Sequence, residues 1–84
     1  MTGKYYGDKI IGTPHHIRLW YDRSIRIWWA SVENSQGNML DLESPSGMRS
    51  GFALDAGSKE RGMRNAIELS QYLKIPVVLK RSGK

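Results

Sequence analysis

His15-His16-Ile17-Arg18-Leu19-Trp20-Tyr21-Asp22-Arg23-Ser24-Ile25-Arg26-Ile27-Trp28-Trp29-Ala30-Ser31-Val32-Glu33 alternates apolar and polar side chains in two runs. β-branched and aromatic residues at period two predict strands over 15–22 and 25–33. The polar Asp22-Arg23-Ser24 between them predicts a hairpin. Tyr21 opposite Ile25 sets Leu19 against Ile27 and Ile17 against Trp29. All six apolar residues then share one face. A slip of one residue would send each strand's apolar set to the wrong side, so burial selects this register.

The pattern extends in both directions. Asn34-Ser35-Gln36-Gly37 carries a turn, and Gly37 suits a positive φ. A four-residue loop puts Glu33 opposite Asn38, Ser31 opposite Leu40 and Trp29 opposite Leu42. That adds a third strand and makes an antiparallel meander with one dry face. Upstream, Lys9–Ile11 is a short edge strand within a glycine-rich arm, and Pro14 closes the arm. Downstream, residues 44–51 form a loop, and Phe52-Ala53-Leu54 is a strand fragment. Ser58 caps a helix that carries Met63, Ala66, Ile67, Leu69 and Leu73 at helical spacing. Glu60–Arg64 and Arg64–Glu68 are i,i+4 pairs on its outer side. Pro76 ends it near Lys74, and residues 75–79 form a final strand. An apolar sheet face and an apolar helix stripe pack on each other. The expected class is therefore α+β, in the order β-β-β-α-β.

Size and charge narrow the possibilities. The chain has 84 residues, no cysteine, 13 basic and 8 acidic residues, and a formal charge of +5. One domain is the ceiling at this length. The expected division is an arm over 1–13, a domain over 14–79 and a basic tail over 80–84. Without disulfides, a reducing cytoplasm is the expected setting. No apolar run approaches the ~20 residues that span a bilayer, so no membrane partner is expected. The excess of positive charge points to an anionic partner such as DNA or RNA.

The candidate site is the sheet face turned away from the helix. In the expected register it shows His16, Arg18 and Trp20, then Arg26, Trp28 and Ala30, then Met39 and Asp41. Arg18 would lie opposite Trp28, and Trp20 opposite Arg26. An exposed lattice of guanidinium and indole groups is an interaction surface, since Arg grips phosphates and Trp stacks on bases. Arg and Trp also anchor protein interfaces. Two blander accounts stand beside this one. Cross-strand cation–π pairs would stabilise the sheet by themselves. Alternatively the arm, with Tyr5, Tyr6, Ile10 and Ile11, would fold over the face. Arg49, Lys59, Arg61 and Arg64 form a second cationic corner, or else a solvated helix face. Lys80 and Arg81 belong to a basic extension. His15 and His16 point to opposite sides of a strand, so no metal site is expected. No catalytic motif and no cofactor motif is present.

The expected meander and helix are similar in topology to the arm-binding domains of phage integrases. They are similar also to plant DNA-binding domains of like design. Those families read DNA with the sheet face opposite the helix, using Arg and Trp, and the Arg18, Trp20, Arg26, Trp28 face resembles that arrangement. Their sequence signatures are absent. Asn65-Ala66-Ile67-Glu68 resembles a stretch in HicB-type antitoxin domains, without that family's upstream Pro-Gly. The expectation is a small non-enzymatic nucleic-acid-binding protein, with DNA ahead of RNA. The alternative is a protein-binding inhibitor or adaptor, antitoxin-like or anti-defence, from a phage or other mobile element. A small ribonuclease using His16 is the third reading. A homodimer through Met39–Leu42 or the final strand is open to the fold.

Overall fold

The computed structural model describes residues 8–79. Its elements are β1 (Lys9–Ile11), β2 (His16–Asp22), β3 (Ile27–Glu33), β4 (Asp41–Glu43), β5 (Arg49–Gly51), β6 (Ala53–Ala56), α1 (Lys59–Leu73) and β7 (Val77–Leu79). The α+β class, the C-terminal helix and the short final strand are as the sequence implies. β1 lies where the short edge strand was expected, and β6 grows out of the Phe52-Ala53-Leu54 fragment. Two sheets form, in the orders β6-β3-β2-β7 and β1-β4-β5.

The first hairpin differs in register. Tyr21 meets Trp28, Leu19 meets Ala30 and Ile17 meets Val32. The partner of Tyr21 thus lies three positions beyond Ile25. An odd displacement exchanges the two faces of β3. Its cause is the loop, which spans Arg23, Ser24, Ile25 and Arg26. Asp22 Oδ1 accepts hydrogen bonds from the Ser24 backbone N–H (3.1 Å) and hydroxyl (2.6 Å), starting the turn at Asp22. Arg26 closes it in the left-handed region, with φ 57°. Packing favours the same answer. Small Ala30 and Val32 now face the helix, which presents Gly62 and Ala66, so the two layers approach closely. A Cβ on Gly62 would lie 3.0 Å from Trp28 Cβ and 3.1 Å from Leu19 Cδ1.

The expected third strand also pairs elsewhere. Glu33 bridges Met39, and the ladder then breaks. β4 continues between β1 and β5, antiparallel to both. β4 is therefore covered on both sides, and the edge expected at Met39–Leu42 is closed, while β7 remains an edge. Three backbone hydrogen bonds of 2.9 Å join the sheets: Leu40 N–H to Val32 O, Phe52 N–H to Leu40 O, and Val32 N–H to Phe52 O. The core runs through this junction. Ile17, Ala30, Val32, Leu40, Leu42, Phe52, Ala66 and Leu69 form one buried cluster, with Ile10 packed against it. Ile10 thus joins the core. Tyr5 and Tyr6, named in the arm-covering account, lie outside the described residues.

Ser58 is the N-cap of α1, its hydroxyl accepting from the Arg61 N–H at 3.2 Å. Lys74 ends the helix in the left-handed conformation, its N–H bonded to Ser70 O.

Candidate functional site: an indole cleft and a basic end

The face of the four-stranded sheet turned away from α1 carries His16, Arg18 and Trp20 from β2. The new register places Glu33, Ser31 and Trp29 beside them, with Trp29 directly opposite Trp20. The indoles of Trp20 and Trp29 stack at 6.5 Å between centroids and 25° between planes. Trp20 Nε1 donates to Ser31 Oγ at 3.0 Å. The Arg18 guanidinium carbon lies 4.8 Å from the Trp20 ring centroid.

Glu33 neutralises this face. It is 3% exposed, and its two oxygens face Arg18 Nε at 2.8 Å and His16 Nε2 at 2.9 Å. The Arg18 contact is an ion pair without an aligned hydrogen bond. His15 Nδ1 lies 3.0 Å from His16 Nδ1, so the row Glu33–His16–His15 runs from the interior to an exposed ring. Among the described residues no group of three or more His, Asp and Glu side chains is arranged to hold a metal ion.

Beside this row lies a cleft of about 390 Å³, lined by Trp20, Asp22, Trp29, Ser31, Met39, Gly51 and Ala53. Ser24 hydrogen bonds, chiefly from its hydroxyl, hold the Asp22 carboxyl below its ordinary pKa, and the Trp29 side chain adds to the effect. Asp22 is thus a fixed anion at the rim of an otherwise apolar cleft.

The expected lattice is only partly assembled. Arg18 and Trp20 share a face with His16 and Met39, as read from the sequence. Trp28 lies on the opposite face, against Tyr21 at 5.1 Å and under the start of the helix, with Lys59 Nζ 5.8 Å from its ring centroid. Arg26 is in the turn and faces no indole. Arg49 is exposed on β5. Lys80 and Arg81 lie outside the described residues. Trp29, Ser31 and Glu33 were missed because their face was misassigned. Asp22 two residues before Ser24, a turn-initiating pair, was the available signal.

The basic residues gather elsewhere. A polar groove of about 480 Å³ opens between Ile27, the end of β6 (Asp55, Ala56) and the first turns of α1, where Arg61, Arg64 and Asn65 line it. Arg26 adjoins Ile27 in the turn, and Arg23 and Lys59 lie at the same end. Among the described residues, the ion pairs within 4 Å both involve Glu33. The cations of this end are therefore unpaired, and the expected Glu60–Arg64 and Arg64–Glu68 pairs do not form.

No protein-family model matches the chain, and no curated protein or solved structure is significantly similar to it. The resemblances drawn from the sequence gain no support, and the Arg26–Trp28 half of the face on which one of them rested is not assembled. No helix among the described residues is long and apolar enough to cross a membrane.

Proposed function

We propose that this is a small non-enzymatic nucleic-acid-binding protein, with DNA ahead of RNA as its ligand and the cytoplasm as its setting. The supporting observation is the basic end. Arg61 and Arg64 from α1 line one polar groove together with Asp55 and Asn65, and Lys59 begins the same helix. Arg23 and Arg26 lie in the β2–β3 turn next to Ile27, and among the described residues none of these cations forms an ion pair within 4 Å. Unpaired cations on separate elements suit a polyanion whose charges repeat along a chain. The sheet face is less suited to phosphate, because Glu33 already occupies Arg18.

Each phosphate neutralised releases counterions, so affinity falls linearly with salt on logarithmic axes. DNA titrations followed by tryptophan fluorescence at several salt concentrations test this. The Arg61→Gln/Arg64→Gln double variant is expected to bind more weakly and to lower the salt slope by about 2, roughly 1 per contact. An unchanged slope would remove both residues from the phosphate set.

The protein-binding alternative, an inhibitor or adaptor, is favoured by one observation. The cleft between Trp20, Trp29 and Met39 is apolar, and Trp is a preferred interface anchor. Absence of DNA and RNA binding at low salt would favour that reading.

A further inference from the structure

We infer that the cleft between Trp20, Trp29 and Met39 receives one unstacked base of single-stranded DNA. The inference rests on the nucleic-acid reading and adds to it a choice between single strand and duplex.

Three observations carry it. First, the indoles are held in place. Trp20 is tied through Nε1 to Ser31 and covered by Arg18, which Glu33 secures. Trp29 interacts with Asp22, whose carboxylate the Ser24 turn fixes. Rings held in this way lose little freedom when a flat ligand binds. Second, the cleft matches a base. It is apolar along its indole and Met39 walls, Met39 packs over Gly51, and small Ala53 completes the lining. Stacking on aromatic rings accepts any base, because every base has a π-face. Third, the cleft and the basic groove adjoin at the β2–β3 end of the sheet. Asp22 lines the first, Ile27 lines the second, and they are cross-strand partners. A strand that follows the β2–β3 turn, which carries Arg23 and Arg26 between Asp22 and Ile27, passes beside the cleft. Bases in a duplex are already stacked and paired, so only a single strand supplies one without opening.

The test uses the full chain and a DNA oligonucleotide of about 12 nucleotides, within the usual site sizes of single-strand binders. It is presented single-stranded and as a duplex. The wild type is expected to prefer the single strand. Trp29→Ala is expected to weaken single-strand binding roughly 5- to 150-fold, the range for losing one base stack. Trp29→Phe restores most of it. Ala53→Leu, which keeps both indoles and fills the cleft, gives a loss like that of Trp29→Ala. Cooperative thermal unfolding identifies the variants that fold. Equal affinity for both forms, with folded Ala53→Leu matching the wild type, would overturn the cleft assignment and leave the basic end intact. No binding of either form at low salt would overturn both. A preference for single-stranded RNA over DNA of the same sequence would overturn the choice of DNA.

Discussion

Arg26 and Asp22 decide which face of β3 is buried. Arg26 adopts a backbone conformation that non-glycine residues seldom take, and Asp22 begins the turn that requires it. The Asp22 carboxyl is held below its ordinary pKa, first by the Ser24 hydroxyl. A depressed folded-state pKa adds stability above the unfolded value, and that stability is lost as pH falls through the folded value. The window therefore opens near 3.8 and extends downward. Asp22→Asn is expected to lower Tm at neutral pH and to match the wild type in strong acid, as measured by thermal unfolding across that range. A difference that persists in strong acid would assign the effect of Asp22 to something other than its charge.

At the scale of the element, α1 is the most legible part of the chain. Ser58, Lys74 and Pro76 mark its ends by local chemistry, and local chemistry is what a sequence displays. Its buried line is less legible. The buried residues are Gly62, Ala66 and Leu69, while Ile67 is exposed. A hydrophobic periodicity cannot register glycine, yet Gly62 sets the closest approach of helix to sheet. Gly62→Ala would gain about 1 kcal/mol of helix propensity. Its Cβ would meet Trp28 Cβ, which β3 cannot easily move. The expected outcome in denaturant titration is a net destabilisation of about 1–3 kcal/mol from overpacking. A more stable variant would show that the layers slide apart freely. The strand faces were misread for a related reason. Both registers bury apolar residues, and only the turn and the size of the facing helix residues separate them.

Over the whole molecule, Phe52 joins what the sequence leaves apart. Its backbone bonds to both Val32 and Leu40, and its ring is fully buried. Alternation within one strand gives no sign of such a junction, so the second sheet was not foreseen. Nor was the separation of the site into an apolar cleft and a basic end. Phe52→Ala is expected to cost about 3–5 kcal/mol. That is a large share of the 5–15 kcal/mol available to a typical domain. Chemical denaturation followed at the tryptophans measures it. A loss under 1 kcal/mol would mean that the sheets hold together without that ring.

The parallel pairing of β2 with β7 brings Ile17 beside Val77, from opposite ends of the described chain. Long-range contacts of this kind slow folding, because the loop must close before its contacts form. During synthesis β2 exists long before β7, so a nascent chain holds one flank of β2 open. An open strand edge invites pairing with other chains. The hazard for this protein is thus greatest while it is still being made; once β7 docks, the open edge shortens to the three residues of β7.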